Sequence, residues 1–150
     1  MILNTGLKCL LTNLHIITED LINKEIKIIL YNGSNVNIKL NKRYIHFYRK
    51  LYITVMEIKD SDNILKDIDF LEYDLSYING YDKYQNIDAI SLQYPKNKIE
   101  HGSGKILDIL NNYEFTHNID TENGSSGSPI ILHNSLKVIG IHKQGDIFNV

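Results

Sequence analysis

Apolar residues in this chain alternate over short runs and nowhere sustain a long helical period, which restricts it to strands. Residues 25–31 place Ile26, Ile28 and Leu30 on one face. Asn32-Gly33 then supplies a hairpin turn, and Val36, Ile38 and Leu40 return with Asn37 and Lys39 toward solvent. The same rhythm predicts strands over residues 8–11, 44–48 and 51–58. In the last of these, Ile53, Val55 and Glu57 share one face and Tyr52, Thr54, Met56 and Ile58 the other. Thr18 caps a brief helical turn over residues 18–24, residues 59–66 read as a loop, and residues 67–86 as a connection between two lobes. In the second half, residues 89–92 form a strand that Pro95 ends, 99–104 a turn, and 105–110 a strand. Ile106, Ile109 and Leu110 equally fit a short helix. Residues 130–132 and 138–141 flank a turn at His133-Asn134-Ser135. Many short strands with frequent turns imply an all-β barrel or sandwich.

Composition narrows the function classes. The 150 residues are 43% hydrophobic and 23% charged, with a net charge of −2. That suits one domain or two small lobes and gives no reason to expect nucleic acid or a membrane as partner. No apolar run approaches the ~20 residues that span a bilayer. Met1-Ile2-Leu3 runs into polar Asn4-Thr5-Gly6, unlike a secretion signal. The single cysteine, Cys9, has no partner for an internal disulfide, so a cytoplasmic or other intracellular reducing compartment is expected.

The chemistry concentrates in Gly124-Ser125-Ser126-Gly127-Ser128-Pro129-Ile130. Glycines flanking the serines permit a tight turn. Such a turn aims backbone N–H groups into one concavity, where a developing negative charge can be held. A serine hydroxyl beside that concavity is a nucleophile once an imidazole takes its proton. Six histidines are available. His15, after an apolar strand and a Thr12-Asn13 turn, stands where the first lobe could present it to a serine loop from the second.

Three stretches carry a resemblance. Leu11-Thr12-Asn13-Leu14-His15-Ile16-Ile17 resembles the strand and turn that present the catalytic histidine in trypsin-like (chymotrypsin-fold) serine peptidases. Gly124-Ser125-Ser126-Gly127-Ser128-Pro129 resembles their nucleophile motif, and Val138-Ile139-Gly140-Ile141-His142 the strand after it. Gln93-Tyr94-Pro95, Gly102-Ser103-Gly104-Lys105-Ile106 and Phe115-Thr116-His117 follow the family's order. The resemblance implies two antiparallel β-barrels, about 1–75 and about 85–150, with the site between them. It gives Ser126 as nucleophile, His15 as general base, and the N–H groups of Gly124 and Ser126 as the oxyanion hole. Pro129 directs the strand leaving the loop. The order of histidine before serine agrees.

Two features depart from the family. Its triad aspartate opens the strand that here begins at Tyr52, so Tyr52 takes the acid's place. A phenol can accept a hydrogen bond from imidazole but does not balance imidazolium, and losing the carboxylate costs about 10⁴-fold in known triads. Asp60, Asp62 and Asp74 are the nearby alternatives. Family members also have a strand upstream of Lys8 and a strand plus helix downstream of Gly145, so the chain is expected to be truncated at both ends.

Thr121, five residues before Ser126, and His142 resemble the acidic-residue pocket of glutamyl endopeptidases. A histidine and a hydroxyl bind a carboxylate by charge-assisted hydrogen bonds, and Lys143 would add charge if turned inward. His117 is expected to support the serine loop. No metal-ligand spacing or phosphate-binding loop is present, so no cofactor is expected. The sequence therefore supports a serine endopeptidase acting on peptides or proteins, impaired at Tyr52. The alternative is an inactive pseudopeptidase that binds peptides or partners.

Overall fold

Asn32-Gly33 does close a hairpin in the computed structural model of the protein, which describes residues 1–3 and 5–144. Gly33 takes φ +80°, and Asn32 Oδ1 accepts the N–H of Ser34 at 2.9 Å. Gly33 N donates to Leu30 O and Leu30 N to Ser34 O, both at 2.9 Å, so the loop is a turn that ends in one left-handed glycine, a common hairpin closure.

The chain forms two units, Met1–Leu71 and Glu72–Val150. The first holds β1 (Cys9–Asn13), β2 (Glu25–Ile29), β3 (Asn35–Lys39), β4 (Ile45–Tyr48) and β5 (Ile53–Glu57). β1, β5 and β4 make an antiparallel sheet in that order, and β2 pairs with β3. The hairpin register sets Ile26 opposite Ile38 and Ile28 opposite Val36, so its apolar face meets the sheet's. Between them lie Ile17, Ile38, Leu40, Met56, Ile58 and Ile64, with Ile45 and Phe47 packed against them.

Two expectations change here. Strand β5 does not alternate: Thr54, Val55 and Met56 are all buried, because both of its faces are covered. Thr54 tolerates this by donating its hydroxyl to Ile17 O at 2.8 Å. Tyr52 lies outside the strand. It follows the 3-10 turn Arg49–Leu51 in a left-handed conformation, φ +60°. The helical turn after Thr18 is a 3-10 turn over Glu19–Leu21, and the Thr18 hydroxyl bonds Asp20 instead of capping it.

The second unit holds β6 (Asp88–Gln93), β7 (Glu100–Ile109), β8 (Phe115–His117), β9 (Pro129–Leu132) and β10 (Val138–Ile141). One antiparallel sheet runs β10-β9-β6-β7-β8 over a core of Tyr84, Ala89, Ile106, Ile119, Ile130 and Leu132. The expected turn at 99–104 is instead the first half of β7, and the short-helix option for Ile106 and Ile109 falls with it. Gly102 and Gly104 are strand glycines whose missing side chains admit a neighbouring backbone. A Cβ on Gly102 would lie 2.2 Å from Asp120 O, and one on Gly104 would lie 2.8 Å from Ile119 N. Residues 72–84 fold onto this unit, where Asp74 N donates to Val138 O at 2.9 Å and Tyr84 enters the core.

Among the described residues every helical element is a 3-10 turn and every pairing of the named strands is antiparallel, so the architecture is all-β. No helix among them is long and apolar enough to cross a membrane.

Candidate functional site

Ser126 lies in the loop between β8 and β9, and two left-handed glycines shape it. Gly124 has φ +101° and Gly127 φ +84°, values that an L side chain would strain. The loop is pinned through its backbone: Ser125 N donates to Glu122 O, Ser128 N to Ser125 O, and Gly127 N to His142 O, at 2.8–3.0 Å. His142 N returns to Ser128 O at 2.8 Å. The N–H groups of Gly124 and Ser126 donate to no group among the described residues. Gly124 is exposed and Ser126 half-buried, so both unengaged amides stay open to an incoming group and can receive an oxyanion.

The adjacent serine has the opposite fate. Ser125 is fully buried, and its Oγ donates to Gln93 Oε1 while accepting the N–H of Glu122. With its hydroxyl proton and a lone pair both engaged, Ser125 is the structural serine of the pair.

His142 follows β10 and is buried, with its Nδ1 3.1 Å from His117 Nε2. His117 Nδ1 accepts the N–H of Ile119 at 3.2 Å. A neutral imidazole that accepts at Nδ1 carries its proton on Nε2, so His117 donates to His142. The proton of His142 is then on its Nε2. Burial first, and the neighbouring His142 second, push His117 down from 6.5 to about 4; burial lowers His142 as well. Thr121 is half-buried in the same loop. Lys143 does not turn inward, since its Nζ meets Glu114 Oε1 at 3.0 Å.

In the first unit, His15 is exposed just beyond β1. The β1–β5 ladder ends with Asn13 opposite Ile53 and continues one step, Leu14 N donating to Tyr52 O at 3.0 Å. This sets the two rings side by side, with centroids 5.6 Å apart and planes inclined 32°. The alternative acids are engaged elsewhere. Asp62 is clasped by both Arg43 Nη atoms at 2.8 Å, and Asp60 meets Lys8 at 3.0 Å. In the second unit, Asp74 accepts from Ser76 and Tyr84.

Gln93 enters the sequence reading only as part of the stretch Gln93-Tyr94-Pro95, with no role of its own. Its signal was present: Ala89, Ser91 and Gln93 occupy the inward positions of β6, and a polar inward residue requires a partner. Among the described residues no cluster of His, Cys, Asp and Glu is arranged to hold a metal ion.

No protein-family model matches the sequence, and no curated protein matches it. Solved structures do. The serine endoprotease from Yersinia pestis aligns with TM-score 0.66 and 15% identity over 92% of this chain and 45% of that one. Deg5 aligns with TM-score 0.63 and 13% identity over 92% of this chain and 69% of that one. The tobacco vein mottling virus protease aligns with TM-score 0.59 and 16% identity over 95% of this chain and 63% of that one. The chain thus spans less than half the length of the Yersinia protein. At these identities the likeness concerns architecture, and the architecture is that of the trypsin-like serine proteases.

Proposed function

We propose that the chain is a serine endopeptidase of chymotrypsin type, acting on peptides or proteins and weakened by Tyr52. The observation that carries this reading is the pair of unengaged N–H groups, Gly124 and Ser126, beside the Ser126 hydroxyl. In this mechanism Ser126 Oγ attacks the scissile carbonyl carbon as His15 takes the hydroxyl proton. The carbonyl oxygen gains negative charge and is held by the two amides. His15 then passes the proton to the leaving amine, the C–N bond breaks, and an acyl-enzyme remains for water to hydrolyse. Tyr52 can steady the His15 ring but leaves imidazolium without a counter-charge.

Thr121 and His142 are the residues proposed to read the substrate side chain ahead of the cleaved bond. His142 is held neutral by burial beside His117, so a carboxylate or carboxamide in this pocket would be read by hydrogen bonding rather than by charge.

A fluorophosphonate probe tests the reading: wild-type protein labels at Ser126 and Ser126→Ala does not. Absence of labelling in the wild type and also in Tyr52→Asp would overturn it. The second reading, a pseudopeptidase that binds peptides without cleaving them, is favoured by Tyr52 standing against His15 where the family has a carboxylate. Saturable peptide binding with no product after long incubation supports it.

A further inference from the structure

We propose that Gln93 and Ser125 are positioning residues that hold the Gly124 and Ser126 amides in the oxyanion-binding arrangement. This inference rests on the serine-peptidase reading for its catalytic consequence. Gln93 ends β6, is only 6% exposed, and lies 32 residues from its partner. Its amide grips the serine loop at two points. Nε2 donates to Asp120 O at 2.9 Å, and Oε1 accepts from Ser125 Oγ. The two grips bracket residues 120–125, the segment whose curvature decides where the Gly124 N–H points.

Neither grip is replaceable by the loop itself. Ser125 is fully buried, so without Gln93 its hydroxyl would lose an acceptor that water cannot readily supply. Asp120 O would lose its donor at the point where Gly102 lets β7 approach. The same segments also meet at an ion pair, Lys96 Nζ to Glu122 at 2.6 Å, and Gly124 passes near Pro95, whose Cα would lie 3.6 Å from an added Gly124 Cβ. That ion pair is exposed and contributes little. The carboxamide is the element that both donates and accepts, and this is the chemistry the loop requires.

The test uses the full chain with Gln93→Ala, Ser125→Ala and Gln93→Glu. Fluorophosphonate labelling of Ser126 is expected to fall about 10- to 100-fold in the two alanine variants, the scale of a displaced oxyanion donor. Gln93→Glu adds a signature that packing loss lacks. Ionised, it accepts from Ser125 but repels Asp120 O; protonated, it accepts and donates as the carboxamide does. Its labelling rate relative to wild type should therefore rise as pH falls from about 8 to about 5. Amide NMR decides the geometry even without labelling. Gly124 and Ser126 cross-peaks should move in Gln93→Ala while those of Ile106 and Ile130 stay. Unlabelled wild-type protein would remove the peptidase reading alone. Folded Gln93→Ala with unmoved Gly124 and Ser126 amides, or labelled at the wild-type rate, would overturn the positioning role.

Discussion

His117 Nε2 stands 3.1 Å from His142 Nδ1, and the N–H of Ile119 fixes which of the two rings donates. Both imidazoles are held below their usual value, so the folded protein keeps them neutral where the unfolded chain takes up protons. For a depressed value the contribution is complete above the unfolded value of 6.5 and is lost as pH falls toward about 4. Urea denaturation at about pH 7.5, 6 and 5 should show stability declining over that window. His117→Gln, whose amide can still accept from Ile119 and donate to His142, should flatten the decline. An unchanged slope in that variant would show that other groups dominate.

The hairpin at Asn32-Gly33 and the tight backbone turn between Gly124 and Gly127 were legible because each depends on local backbone needs that the sequence states directly. The rest was set by tertiary contact. Gly102 and Gly104 read as turn glycines, yet they serve close approach by residues 118–120, which no local window contains. Tyr52 reads as the next step of an alternating strand, but its left-handed backbone takes it out of β5. His117 and His142, 25 residues apart, gave no sign of their shared proton. Gln93 lay in view as a polar residue on an inward face, without its partner Ser125.

Arg43 and Asp62 form a two-pronged ion pair with side chains 5% and 7% exposed, and Arg43 also donates to Glu57 O at 2.8 Å. The guanidinium holds the Asp62 carboxyl below its usual range. Asp62→Ala leaves that guanidinium buried and unbalanced, which should cost about 3–5 kcal/mol. Replacing both, as Arg43→Met with Asp62→Leu, should recover much of the loss, because the desolvation of both charges disappears. Chemical denaturation of the three proteins measures this, and a double variant less stable than Asp62→Ala would contradict it.

Gly102→Ala places a methyl 2.2 Å from Asp120 O, a backbone atom with no rotamer to escape through. Either β7 or the serine loop must shift, at a cost of about 1–3 kcal/mol. Because Asp120 O is also the acceptor of Gln93 Nε2, the displacement should reach Ser126. Thermal denaturation and the Gly124 amide resonance should change together. Gly33→Ala is the comparison: its Cβ meets nothing within 4 Å, so φ strain is its only cost, and Gly124 should not respond.

Tyr52→Asp is expected to raise Ser126-dependent peptide hydrolysis. Tyr52 holds φ +60°, a conformation that aspartate adopts several-fold more readily than a bulky residue, so the backbone favours the change. The side chain leaves a ring 5.6 Å from the His15 ring and brings a carboxylate to the same side. A carboxylate there orients imidazole and balances the charge it acquires, an effect worth up to about 10⁴-fold in known triads. A gain of about 10-fold or more in turnover, with KM little changed, is the expected outcome, since the acid acts through His15 and not on bound substrate. Tyr52→Asn keeps the shape without the charge and should gain far less. Activity in Tyr52→Asp that survives Ser126→Ala would assign the hydrolysis to another group or a contaminant and end the triad reading of Tyr52.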